Sequence, residues 1–135
     1  MYQQMIFVNL PVNDIDASRT FFTELGYSIN AQFSDETTAS VVISDTIVVM
    51  LLAREKYAEF TKKEIAHATK TSEVLIALSA ESREKVDELV DKALAAGGTA
   101  AGETQDLGFM YGRSFDDLDG HTFEVVWMDP AAVEG

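Results

Sequence analysis

Cysteine is absent from the 135 residues, so no disulfide, thiolate metal site or cysteine nucleophile is available and any chemistry must use oxygen and nitrogen. Proline is scarce: Pro11 and Pro130 are the only two, which leaves almost the whole chain free to enter helices and strands. No apolar run approaches the length of a membrane span, and the opening Met1-Tyr2-Gln3-Gln4-Met5 lacks the basic stretch of a secretory leader. The expectation is a cytoplasmic protein without a membrane partner. Basic residues are outnumbered 10 to 23, and the resulting net charge of −13 repels a phosphate backbone, which argues against nucleic acid as a partner. There is also no glycine-rich phosphate loop and no serine in a nucleophile-elbow context, so nucleotide-binding and serine-hydrolase readings have no support.

What is present is the makeup of a folded domain, 47% hydrophobic and 24% charged, in a chain long enough for one domain and too short for two independent ones. Residues 5–12 alternate at strand period, with Ile6, Val8, Leu10 and Val12 on one face and Phe7 and Asn9 on the other. Asn13 or Asp14 can cap a helix carrying Ile15, Phe21, Phe22 and Leu25 on one side, and Gly26 stands where such a helix stops. Strand-like runs follow at 27–33, 38–43 and 46–52, with Ser44-Asp45 as the turn between the last two. Module 1, about residues 5–52, therefore reads β-α-β-β-β.

Residues 53–70 turn charged and helix-favouring, which predicts a helical connector. Arg54, Lys56, Lys62, Lys63 and Lys70 make up half of the basic residues, and they read as a solvated face rather than an anion site. Module 2, about residues 73–129, repeats the opening order. A strand at 74–80 leads to a helix at 82–96 with Val86, Leu89, Val90, Ala93 and Leu94 on one stripe, ended by Gly97-Gly98. Strands near 99–102, 109–115 and 122–128 follow, the last two joined by a turn at Asp117-Leu118-Asp119-Gly120. The fold class is thus α+β: two tandem βαβββ modules forming a curved mixed sheet with the helices outside. Each small curved sheet exposes a face it cannot fill alone, so two modules are expected to close on each other, within one chain or by exchange in a homodimer, and leave a cleft for a small molecule.

This pattern resembles the vicinal oxygen chelate superfamily, which includes glyoxalase I, bleomycin- and fosfomycin-resistance proteins and extradiol dioxygenases. The resemblance is carried by Asp117-Leu118-Asp119-Gly120-His121-Thr122-Phe123-Glu124-Val125, similar to the family's Asp-Pro-Asp-Gly turn and glutamate-bearing strand with Leu118 in place of proline. Leu10-Pro11-Val12-Asn13-Asp14, Phe21-Phe22 and Leu25-Gly26-Tyr27 are similar to its first strand and helix. For the metal-dependent members the resemblance implies four ligand positions on the first and last strands of each module. Here they fall on Phe7, Met50, Leu75 and Glu124. Only Glu124 is a usual ligand, so no metal or other cofactor is expected, and a divalent metal is disfavoured.

Glu124 shares a strand face with Thr122 and Val126, opposite the apolar Phe123, Val125 and Trp127, and so is expected to face the cleft. There it would act as a general base or polar anchor; the alternative is a salt bridge with Arg113 on the neighbouring strand. His121 is a second candidate acid or base, although a residue at the end of a turn is usually solvated or held by a local bond. Tyr111 and Arg113 can line a ligand site, as can Phe7, Asn9, Met50 and Leu75, whose apolar members suit binding by shape. Glu64 and His67 have the spacing of a helical ligand pair but no third ligand nearby. The expected function is a glyoxalase/bleomycin-resistance-like protein that binds a small organic molecule in an apolar cleft without the usual metal. The alternatives are a lactoylglutathione-lyase-like metalloenzyme and a metal-independent lyase or isomerase that uses Glu124, with Tyr111, Arg113 or His121 assisting.

Overall fold

The computed structural model describes residues 1–133. It divides into two compact units, the first ending at Ala66 and the second beginning at His67, inside the expected connector.

The first unit opens with β1 (Ile6–Val12), whose alternation buries Leu10 and Val12 and leaves Phe7 and Asn9 exposed. The Asp14 side chain accepts the Ala17 amide at 3.0 Å and starts α1 (Ile15–Glu24); Leu25 ends it, and Gly26, at φ 105°, turns the chain away. Next come β2 (Ser28–Ile29), β3 (Thr38–Val42) and β4 (Ile47–Ala53), in a sheet of order β1-β4-β3-β2. β1 runs parallel to β4, and the other pairs are antiparallel. Phe21 and Phe22, edge to face at 5.1 Å, are buried together with Leu10, Val12, Ala39, Val41, Val49 and Leu51. One face of the sheet is thereby used for the core.

The second unit repeats this plan with β5 (Ile76–Ser79), α3 (Arg83–Ala95), β6 (Thr99–Ala100), β7 (Gln105–Asp106), β8 (Met110–Asp116) and β9 (Thr122–Met128). The sheet order is β5-β9-β8-β6, with β7 also paired to β8. β5 is parallel to β9, as β1 is to β4, so each unit places its last strand beside its first. Ser82 caps α3 by accepting the Lys85 amide at 3.1 Å, and the stripe of Val86, Val90 and Ala93 is buried, as are Phe115, Phe123 and Val125. The Phe115 and Phe123 rings stack at 5.4 Å, a contact worth about 1 kcal/mol beyond burial.

Three expectations are corrected. Residues 27–33 form only the two-residue β2, because the Asn30 side chain accepts the Gln32 amide at 3.0 Å and starts a 3-10 turn at Ala31–Phe33. The connector is not one helix: α2 (Arg54–Tyr57) and a 3-10 turn (Ala58–Phe60) are its only helical pieces, since no apolar stripe recurs to pay for more. Arg54 holds the following segment by donating to the carbonyls of Ile65 and Ala66 at 3.2 and 3.3 Å. Finally, β7 and the short α4 (Pro130–Val133) were not anticipated, each being too brief to show a period. No helix among the described residues is long and apolar enough to cross a membrane.

Gly120 sits at φ +89° in the turn between β8 and β9, where a Cβ would lie 2.7 Å from the Thr69 amide nitrogen. Gly26 has a similar dihedral but open space around it. Gly120→Ala should therefore lower the urea midpoint clearly more than Gly26→Ala. Dihedral strain alone costs about 1–3 kcal/mol, and only the first variant adds a backbone clash. Equal losses would mean the turn yields freely at Thr69.

Candidate functional site

Strand alternation and register assign every site candidate on the second sheet to one of two faces. Glu124 pairs with Ala77 on β5 and Ser114 on β8, so these three share a face with Ser79, Thr122, Val126 and Gly112. Tyr111, Arg113 and Phe115 pair with Trp127, Val125 and Phe123 and share the opposite face, against α3. Glu124 is half-buried, and among the described residues no hydrogen bond or ion pair ends on its carboxylate.

The expected alternative for Glu124, an ion pair with Arg113, is not formed. Arg113 points to α3, where its guanidinium donates to Asp87 at 2.9 Å and Asp91 at 3.0 Å. The Tyr111 hydroxyl donates to the same Asp87 carboxylate at 2.7 Å. That bond, together with Arg113, lowers the Asp87 carboxyl below its ordinary range, and the bond to Asp87 raises the Tyr111 phenol. Tyr111 and Arg113 were expected to line a ligand site; both instead fasten β8 to the helix, on the side away from Glu124.

The same side holds a group that the residue pattern did not reveal. Arg83 lies 5.1 Å from the centres of both the Tyr111 and Trp127 rings, and its guanidinium donates to both Asp106 oxygens at 2.8 and 2.9 Å and to the Gly108 carbonyl at 2.9 Å. One side chain thus joins α3, β7, β8 and β9. Arg83 and the Gly108 amide pull the Asp106 carboxyl down to about 2.

His121, expected at a turn end to be solvated or held by a local bond, takes the second form, and its side chain is 10% exposed. Asp117 Oδ1 accepts the amides of Asp119 and His121 at 3.0 and 2.9 Å, and its Oδ2 lies 2.9 Å from His121 Nδ1. An accepting carboxylate there places the proton on Nδ1. Asp117, Asp119 and His121 each offer a ligand atom within 4.8 Å of the others. Asp117, however, is already committed to holding the turn. Glu64 and His67 lie outside any helix, so their spacing has no helical face to act through.

On the first sheet, Phe7, Asn9 and Pro11 of β1 pair with Val48, Met50 and Leu52 of β4, which pair in turn with Val42, Ser40 and Thr38 of β3. Phe7, Asn9 and Met50 therefore share the face turned away from the α1 core. Phe7 is 55% exposed, and the Asn9 amide donates to the Phe7 carbonyl at 3.3 Å. Leu75, also exposed, precedes β5 rather than lying within it.

A family model for the bleomycin resistance protein-like N-terminal region matches residues 4–44. A hypothetical protein of S. aureus, known as a structure, is 32% identical over 94% of both chains, with a TM-score of 0.78. The opening part of the chain, residues 4–44, is thus similar to the bleomycin resistance protein-like family. Two further structures share the chain's fold at lower identity. A glyoxalase/bleomycin resistance protein/dioxygenase family enzyme of Burkholderia phytofirmans is 20% identical over 93% of this chain and 99% of its own, at TM-score 0.75. A fosfomycin resistance protein of Mesorhizobium loti is 14% identical over the whole of both chains, at 0.69. No curated protein matches the sequence.

The donor set does not fit the metal that the sequence resemblance implies. Of the four implied positions, Phe7 and Leu75 have no donor atom, Met50 offers a thioether and Glu124 a carboxylate. The register neighbours Ala77 and Ser114 add no strong ligand. Zinc, nickel or iron sites need three or four nitrogen, oxygen or thiolate ligands, so no step is routed through a metal here.

The depressed carboxyl of Asp106 makes the Arg83 junction acid-sensitive. A carboxyl lowered in the folded state contributes stability above its ordinary value of 3.8, and that contribution is lost as pH falls from there through about 2. Fluorescence of Trp127, the single tryptophan, should therefore change over that acid range, and Asp106→Asn should abolish the change. Tyr111→Phe should cost about 1.5 kcal/mol in urea unfolding, the lower end of the worth of a hydrogen bond to a charged group, without altering ligand binding on the Glu124 face.

Proposed function

We propose that this chain binds a small organic molecule against the sheet face that carries Glu124, without a catalytic metal. The observation that carries the reading is Glu124: a half-buried carboxylate with no protein partner among the described residues, flanked in register by the small side chains of Ala77 and Ser114. Buried or partly buried charges are normally paired, so a carboxylate left open on a sheet face is suited to a ligand's donor group. The corresponding face of the first sheet offers the exposed Phe7 and half-buried Met50 beside the buried Val48 and Leu52, an apolar surface that suits binding by shape. A metal-independent lyase or isomerase using Glu124 as base gains nothing from Tyr111 and Arg113, which lie on the opposite face, and His121 is tied to Asp117. Binding, rather than turnover, is therefore the favoured reading.

We also propose a homodimer. β1 and β5 are edge strands of their sheets, and Ile6 and Phe7 on β1, with Val74 and Leu75 just before β5, are exposed apolar residues at those edges. Light scattering of the purified chain should give twice the monomer mass.

Elemental analysis after incubation with zinc, nickel and iron and then desalting is expected to find no stoichiometric metal, and a methylglyoxal–glutathione assay no turnover. Retained metal accompanied by turnover would overturn the proposal in favour of a lactoylglutathione-lyase-like enzyme. Glu124→Gln should weaken ligand binding and leave the urea midpoint nearly unchanged, because no protein partner is lost.

A further inference from the structure

Charge on the two open faces is of one sign. On the second sheet, register places Gln105, Met110, Gly112, Ser114, Asp116, Thr122, Glu124, Val126 and Met128 together with Ala77, Ser79 and Thr99 on the helix-free side. Two of these are acidic and none is basic. Asp116 already accepts the Thr122 hydroxyl, whereas Glu124 has no bond among the described residues. The nearest basic residue in sequence on these strands, Arg113, is held on the opposite face by Asp87 and Asp91. The corresponding face of the first sheet, where Phe7 and Asn9 are exposed and Thr38, Ser40, Val48 and Leu52 are buried, carries no ionisable group.

An anionic ligand placed on either face would lose hydration without gaining a cation, and on the second sheet it would meet a carboxylate. An ammonium group would instead meet the one carboxylate left without a partner, and the net charge of −13 would favour its approach. We infer that the Glu124 face selects a cationic organic ligand, an apolar body bearing a protonated amine, and discriminates against carboxylates and phosphonates of the same shape. The juxtaposition that carries this is an unpartnered Glu124 on a face free of basic side chains. The inference rests on the proposed binding function and adds the class of ligand.

Three naphthalene probes of nearly equal size separate the two claims: 1-naphthylmethylamine, 1-naphthalenemethanol and 1-naphthoate, measured by equilibrium dialysis against the full chain at physiological salt. The amine should bind about tenfold tighter than the alcohol, the gain expected when a charge-assisted hydrogen bond replaces a neutral one, and the carboxylate should bind weakest. Glu124→Gln should remove the advantage of the amine while preserving alcohol binding, which also shows that the variant is folded. Glu24→Gln, at an exposed position on α1, makes the same change in net charge and should leave the ratio as it is in the parent chain. Equal binding of amine and alcohol would overturn charge selection and leave small-molecule binding intact. Loss of the amine's advantage in Glu24→Gln as well would assign it to overall charge and overturn the role of Glu124. Failure of all three probes to bind would overturn both readings.

Discussion

Burial of Phe123 and Val125 beneath α3 is the constraint from which the arrangement of the second unit follows. Successive strand residues point to opposite faces, so committing these two to the core sends Glu124 to the other side and takes Trp127 toward the helix. The neighbouring strands inherit the division through their register. Tyr111, Arg113 and Phe115 are drawn to the helix, while Ser114 and Ala77 flank the glutamate.

The two sides consequently use charge differently. On the helix side Arg83 holds Asp106, and Arg113 bridges Asp87 and Asp91. Those contacts fasten a short hairpin and a strand to α3. On the open side the acidic groups have no basic neighbour, and the first sheet is uncharged. Such an asymmetry concentrates polar stabilisation where the unit must hold together and leaves one carboxylate for an external group.

Two of the positions that the sequence resemblance assigns to metal ligands, Phe7 and Met50, lie on the face turned away from the Phe21 and Phe22 core. Phe7 and Met50 alternate with the buried Val49, Leu10 and Leu51 and can change chemistry without disturbing them. The turn at Asp117 is different. Asp117 organises the amides of Asp119 and His121, and Gly120 passes close to Thr69, so this motif serves the backbone.

Much of this was legible from residue order alone. The repeat of β-α-β-β-β, a cap at Asn13 or Asp14 and the opposed faces of Glu124 and Phe123 depend on local periodicity and capping, which a linear sequence records directly. Where side-chain bonds compete with a ladder, as at Asn30, periodicity misled, and the connector's helix favour did not outweigh its want of an apolar stripe. The partners of Tyr111 and Arg113 lie 24 and 26 residues away on α3, and Arg83 reaches 23 residues to Asp106. Only tertiary structure could decide those, because alternation tells which way a side chain points but not what charge folding brings to meet it.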